Sequence, residues 1–306
     1  MGDKTVFYSP GKLLLCGEYA VLQGATCFAL PTSKGQSLSV ETIESDAYLL
    51  HWVSKDKDSN VWFQAQISLP YFIIEETNDE LTAIQLVRFL INAKHLNPKF
   101  LENKGEYRVT TELEFGINEG LGSSSTLTNN IAQWAQVNPF SLHFNAFKGS
   151  GFDVAVAKEK KPILYTMNGN NPSIEVVDWN KNFIDKLYFV YLNQKQNSRK
   201  EIAKFNQQLT SSQLAQVSRI SKLIALNDDY FEFCLLLELA ENETALFLNR
   251  KTIKQDLFSD YKGTIKSLGA WGGDYVLATG ENTVQYFKEK GYECVVSFEE
   301  MIQSEN

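Results

Sequence analysis

Apolar and polar residues alternate along Ser37-Leu38-Ser39-Val40-Glu41, the two-residue period of a strand with one buried face. Residues 107–115 alternate in the same way. Short β-prone apolar runs at 5–8 and 12–17, separated by the turn signal Pro10-Gly11, predict two strands. Further strands are predicted over 27–30, 37–42, 48–52 and 61–69. Residues 81–93 instead carry Ile84, Val87, Phe89, Leu90 and Ile91 at helical spacing. A Gly- and Ser-rich break follows at 116–126. It opens a predicted helix over 124–136, with a shorter one over 141–147. Strands are expected at 162–166 and 186–192, and helices at 201–209, 211–226 and 229–249. A strand at 275–278, a helix at 284–290 and a strand at 292–297 complete the pattern. Strand-rich first and helix-rich second, with β at the end, argues for an α+β chain of two domains. The polar stretch around residue 180 is the expected boundary, giving domains at 1–180 and 181–306.

Composition narrows the function classes. The chain has 306 residues, 43% hydrophobic and 22% charged, as expected of a globular protein. Its net charge of -8 gives no electrostatic footprint for nucleic acid or an anionic membrane. The longest apolar stretch, 231–239, is interrupted by Glu232 and Glu238 and is too short to span a bilayer. The N-terminal residues lack the basic-then-apolar pattern of a signal peptide, so a cytoplasmic protein is expected. Cys16, Cys27, Cys234 and Cys294 lack metal-ligand spacing, and His51, His95 and His143 stand far apart. This argues against a histidine-based metal site or triad.

Four segments can carry chemistry. Glu119-Gly-Leu-Gly-Ser-Ser-Ser-Thr lies between a predicted strand and a predicted helix. Gly120 and Gly122 permit close backbone approach. The unpaired N–H groups and dipole of the helix start suit a phosphate. Leu121 lies between the two glycines, and Ser123, Ser124, Ser125 and Thr126 add hydroxyls that hydrogen-bond phosphate or ligate magnesium. This is neither a Walker loop nor a Rossmann fingerprint. A turn that caps the helix without a ligand has the same pattern. Lys12, beside Pro10-Gly11, can offer a cation to a transferring phosphoryl group, and Glu18 and Tyr19 end the same stretch where a substrate can be faced. An edge-strand lysine in solvent is the alternative. Ser150-Gly151-Phe152-Asp153 presents a carboxylate able to accept or orient a hydroxyl proton, or else to serve only as a turn residue. Gly269, Gly272 and Gly273 form a tight loop before the strand at 275–278, which is equally a plain turn.

The order and spacing of these segments resemble the GHMP kinases, the superfamily of galactokinase, homoserine kinase, mevalonate kinase and phosphomevalonate kinase. The resemblance covers nearly the whole chain and is most specific at 9–22 and 119–126. Gly151-Phe-Asp-Val-Ala looks like phosphomevalonate kinase, and more like a bacterial group with a Gly-Tyr-Asp-Ile-Ala motif, with Phe152 and Val154 as substitutions. The resemblance implies an N-terminal α+β domain joined to a C-terminal domain of ferredoxin-like topology. It implies ATP and Mg2+ as cofactors, with the phosphates on 120–126. Lys12 matches the motif lysine beside the phosphoryl path, and Asp153 the acid acting on the substrate hydroxyl. Ser124 matches a serine that can ligate magnesium. Glu18 and Tyr19 match substrate-contacting positions; Ser150, Gly151, Gly272 and Gly273 complete the expected substrate set. The implied activity is ATP-dependent phosphorylation of a small acidic metabolite of the mevalonate or phosphomevalonate kind. A second copy of the chain is an optional partner.

Two departures keep an alternative open. No Asp or Glu lies between Thr126 and Phe152, where mevalonate and homoserine kinases supply an acid to the metal. The Gly-rich loop reads Gly269-Ala-Trp-Gly-Gly-Asp, placing Trp271 and Asp274 where the family has small residues. A nucleotide- or metabolite-binding protein of the same fold without phosphoryl transfer has the same motifs.

Overall fold

The computed structural model describes residues 3–147, 149–193, 205, 207–269, 271 and 274–303. Two compact units are present. The first comprises Met1–Gly11, Lys34–Ile117 and Gly122–Lys158; the second comprises Lys12–Ser33, Asn118–Leu121 and Glu159–Asn306. They are discontinuous in sequence because the first two strands, β1 (Asp3–Cys16) and β2 (Thr26–Ile43), run through both. A linear boundary near 180 is therefore not the partition that the contacts make.

In the first unit, the second part of β2 joins β3 (Tyr48–Lys55), β4 (Val61–Ser68), β5 (Ile73–Thr77) and β6 (Gly105–Leu113) in the order β5-β4-β3-β6-β2. β3 and β6 are parallel, and the other neighbours are antiparallel. Alternation sends Leu38, Val40, Leu50, Trp52 and Val109 into one core. Helices α1 (Glu80–Leu96) and α2 (Ser123–Ala135) cover it with Leu86, Phe89, Leu90, Ile131 and Ala132. Each large side chain so buried contributes about 1.5–3 kcal/mol. Asp79 caps α1 by accepting from the Thr82 N–H. α3 (Pro139–Ala146) and α4 (Phe152–Glu159) complete this part of the chain.

Buried amides fix α2. Asn130 Oδ1 accepts from the Ser9 hydroxyl at 2.7 Å, and its Nδ2 donates to the Gln36 carbonyl at 2.9 Å. Asn129 Nδ2 donates to Ser9 Oγ at 2.9 Å and to the Ala157 carbonyl of α4 at 3.0 Å. One helical turn is thereby tied to β1, β2 and α4.

The second unit contains β7 (Ile163–Thr166), antiparallel to the first part of β2 and to β8 (Ser173–Val176). A separate antiparallel sheet has the order β10 (Thr264–Leu268), β11 (Tyr275–Thr279), β9 (Leu187–Tyr191), β12 (Val295–Ser297). Its helices are α5 (Ser211–Leu226), α6 (Tyr230–Leu248), α7 (Ile253–Leu257), α8 (Thr283–Glu289) and α9 (Phe298–Met301). Among the described residues, no helix is long and apolar enough to cross a membrane.

A buried ionic trio lies in this unit. Lys266 on β10 is 0% exposed, and its ammonium donates to Glu18 Oε1 at 2.7 Å and to the Ser267 carbonyl at 2.6 Å. Glu241 of α6 lies 3.6 Å from the same ammonium. It also accepts from the Ser267 N–H and hydroxyl and from the Ile253 N–H. Glu18 Oε2 is buried and has no hydrogen-bond partner among the described residues. Burial pushes the Glu18 carboxyl above its usual range, with Lys266 opposing. Burial depresses Lys266, but the Glu18 and Glu241 charges outweigh it, so the ammonium is held above its ordinary value.

The pattern of the sequence locates most elements and misplaces some joins. Pro10-Gly11 does not break the chain: β1 passes through it. Among the described residues β1 pairs with β2 alone, off the main path of the sheet, and proline is tolerated on such an edge. The strands expected at 27–30 and 37–42 are one continuous β2. β5, β8, β10 and the helices α4, α7 and α9 are additions to the expected set. The helix expected over 201–209 falls largely outside the described residues, as do Gly272 and Gly273.

Asn130→Ala is expected to cost about 1–3 kcal/mol, because Ser9 and the Gln36 carbonyl lose their buried partner. A lowered urea midpoint with an unchanged slope reads this out. Lys266→Met is expected to cost about 3–5 kcal/mol, since two carboxylates are left without their cation. Glu18→Gln added to Lys266→Met should recover part of that loss. With Lys266 raised on folding, its stabilisation is fully present below the ordinary lysine value of 10.5. It is lost as pH rises through the folded value, and the midpoint of Lys266→Met should show a smaller alkaline fall than that of the parent.

Candidate phosphate-binding site

The chain reaches α2 through two left-handed glycines, Gly120 at φ 69° and Gly122 at φ 95°. A Cβ at Gly120 would overlap the Asp274 carboxylate, so glycine is required there by close approach as well as by φ. Gly122 is the N-cap of α2 and has no side chain with which to cap it. The first turn closes through Thr126 N–H to the Gly122 carbonyl at 3.0 Å. The N–H groups before Thr126 point out of the helix end without an intrahelical acceptor, together with the positive end of the helix dipole.

The hydroxyls of this turn divide into two sets. Thr126 donates to Gln36 Oε1 at 2.6 Å, and Ser125 donates to the Gly122 carbonyl at 2.8 Å. Both residues are buried and hold the turn in place. Ser124 is exposed and Ser123 half-buried, and neither hydroxyl is engaged within the described residues. The sequence marks all four as phosphate-binding and the resemblance singles out Ser124 for magnesium, but neither separates structural from free hydroxyls. Thr126 differs from Ser124 in its burial, in its contact with Gln36, remote in sequence, and in its contacts with the Gly122 and Ser123 carbonyls.

In the same unit, Gly151 at φ 79° leads into α4, and Asp153 lies in its first turn. Asp153 is half-buried, and its Oδ1 accepts from the Val154 N–H at 3.0 Å. A carboxylate here complements the helix dipole and retains lone pairs for a further donor. Ser150 and Gly151 are buried just before it. The Asn129 contact to Ala157 couples α4 to α2, so Asp153 and the Ser123–Thr126 turn sit on tied helices.

In the second unit, Lys12 holds the first half of the glycine loop. Its ammonium donates to the Gly120 carbonyl at 2.7 Å, and its backbone N–H donates to the Leu121 carbonyl at 2.9 Å. Asp274 lies against Gly120, and the Leu192 N–H donates to the Asp274 carbonyl at 2.9 Å. Lys12, Glu119, Gly120, Gly269, Asp274 and Tyr275 line a small cavity of about 20 Å³. That is close to the space of a single water. Burial, reinforced by Glu119, pushes the Tyr275 hydroxyl far up, so it stays a neutral donor.

Glu18 and Tyr19, expected to face a substrate, are buried at 3% and 6%. Glu18 belongs to the trio with Lys266, and the Tyr19 hydroxyl accepts from the Trp271 N–H at 2.9 Å. Trp271 packs into the same apolar cluster as Tyr19. The base nearest Glu18 in sequence is Lys12, which engages Gly120 instead, so the local sequence gave no sign of the pairing with Lys266. The expected residues thus gather in two groups. Gly122–Thr126, Ser150, Gly151 and Asp153 belong to the first unit; Lys12, Glu18, Tyr19 and 119–121 belong to the second.

No protein-family model and no curated protein matches the chain. Solved structures do. The mevalonate kinase of Methanococcus jannaschii aligns with a TM-score of 0.70 at 14% identity, over 99% of both chains. The Streptococcus pneumoniae phosphomevalonate kinase, in complex with phosphomevalonate and AMPPNP, gives 0.65 at 15% identity, over 96% of this chain and 99% of that one. The Lactococcus lactis galactokinase complexed with galactose gives 0.64 at 15%, over 99% and 94%. At such identities the likeness speaks for the fold. The chain has the α+β, two-domain fold of the GHMP kinases.

Proposed function

We propose that this chain is an ATP-dependent phosphotransferase acting on a small acidic metabolite, in the manner of a mevalonate or phosphomevalonate kinase. The observation that carries the reading is the uncapped start of α2, where Gly122 leaves helix N–H groups unsatisfied next to the unengaged hydroxyls of Ser123 and Ser124. Such an end is suited to the phosphates of a nucleotide. The fold, shared with a phosphomevalonate kinase solved with AMPPNP, supports the same ligand class.

In this reading Gly120–Thr126 cradles the phosphates by backbone N–H groups, while Ser125 and Thr126 keep the turn rigid. Asp153 accepts, or orients, the proton of the attacking hydroxyl. Lys12 holds the loop at Gly120 and places a positive charge beside it. Phosphoryl transfer depends mostly on positioning and charge stabilisation, so a rigid cradle matters more than covalent chemistry by the protein. Among the described residues, no group of three His, Cys, Asp or Glu side chains could hold a metal. The donor set fits magnesium nonetheless: this ion commonly keeps water and binds phosphate oxygens. Ser124, exposed and unengaged, would be its ligand from this chain. The ion would neutralise charge on the phosphates.

A second reading, nucleotide or metabolite binding without transfer, is favoured by two observations. No acid lies between Thr126 and Phe152, and Asp274 is placed on Gly120.

Incubation with ATP, magnesium and a panel of acceptors including mevalonate and phosphomevalonate, read by mass spectrometry, should give one phosphorylated product. Asp153→Asn should lower kcat by about 10²–10⁴-fold while leaving ATP-induced thermal stabilisation in place. Stabilisation by ATP with no product from any acceptor would favour the second reading.

A further inference from the structure

α5 and α6 form a hairpin joined by Asn227–Asp229, and α6 is apolar on more than one side. Phe233, Leu236, Leu237 and Phe247 face the core. Phe231, Leu235, Leu239 and Leu246 nevertheless stand 76, 66, 39 and 75% exposed. The first three follow one another at intervals of four residues, and Leu246 lies seven further on, so all four share one face of the helix. At the adjoining end of α5, Leu223 and Leu226 are 38 and 62% exposed. Glu232 and Asn242 are also exposed on α6, so the helix is not apolar all round, but contiguous apolar patches of this extent often mark an interaction site. None of the phosphate-site residues belongs to this hairpin.

We propose that the α5–α6 face is the interface of a two-fold homodimer, with α5 of one protomer laid on α6 of its partner. Two observations select a second copy as the occupant. The first is area. The six exposed side chains offer on the order of 500 Å² of apolar surface. A standard homodimer interface buries about 800 Å² per partner, about 65% of it apolar, so the apolar core it requires is about that size. The second is charge. Arg219 and Lys222 are exposed on α5, Glu232 is exposed on α6, and none of the three makes an ion pair within the described residues. Laying α5 on the partner's α6 in an isologous contact brings both cations toward Glu232, twice over by symmetry. The acids Asp228, Asp229 and Glu232 beside the patch make an anionic lipid surface a poor occupant.

The test is sedimentation velocity of the full chain from about 1 to 100 µM, a range spanning ordinary dimer affinities. The proposal expects a concentration-dependent dimer. Phe231→Ser with Leu235→Ser should leave a folded monomer that unfolds no lower than the parent does at concentrations where the parent is itself monomeric, because both side chains are solvent-exposed in the protomer. Arg219→Glu with Lys222→Glu should weaken association by at least about tenfold, and adding Glu232→Arg to the same chain should restore it. A parent that is monomeric across the range overturns the proposal. So does a dimer that survives the Phe231/Leu235 pair, or a monomer that floats with phosphatidylcholine–phosphatidylserine vesicles.

Discussion

A lysine ammonium removed from water is tolerated only where opposite charge and hydrogen bonds replace hydration. Lys266 meets that condition through Glu18, Glu241 and the Ser267 carbonyl. The trio joins three segments distant in sequence: the chain just beyond β1, the helix α6 and the strand β10. Lys12 stands six residues before Glu18 on that same run, and it holds Gly120 and Leu121 by both its ammonium and its backbone N–H. Displacement of the trio would therefore reach the glycine loop through β1. Glu18 acts on the loop by fixing the strand that carries Lys12.

The other half of the loop is fixed by neutral groups. Asn129 and Asn130 are buried on α2, where polar side chains are tolerated only with partners, and they find Ser9, Gln36 and the Ala157 carbonyl. Thr126 adds its hydroxyl to Gln36. The helix start is thus held from below by side chains, while its outer end keeps N–H groups and the Ser124 hydroxyl for a ligand. Rigidity of this kind is what an electrostatic site needs, since donors fixed in advance need not reorganise during reaction.

Local signals in the sequence sufficed for α1, α2, α5, α6 and, β5 excepted, the strands of the first unit, because a cap or an apolar period lies within a few residues of the element it marks. Asp229 before α6 and Asp79 before α1 are examples of such caps. The continuity of β1 through Pro10-Gly11 was hidden, since an edge position is a property of the sheet. α4 was read as a turn followed by an apolar run, because its eight residues are too few to establish a period. The glycine-led start of α2 was legible from Gly120, Gly122 and the serines that follow. The engagement of Thr126, the burial of Glu18 and the contact of Asp274 with Gly120 were not, for each depends on a partner about 90 or more residues away.

The account turns on nucleotide phosphates binding at the start of α2, and Ser124→Asp tests this most directly. An aspartate at that exposed first-turn position complements the helix dipole, so the fold is preserved, yet it places a negative charge where phosphates would lie. Calorimetric titration of the parent should show ATP binding at least about tenfold more tightly than adenosine, and Ser124→Asp should abolish that difference. Equal affinities for ATP and adenosine in the parent, or an ATP preference that survives Ser124→Asp, would contradict the account.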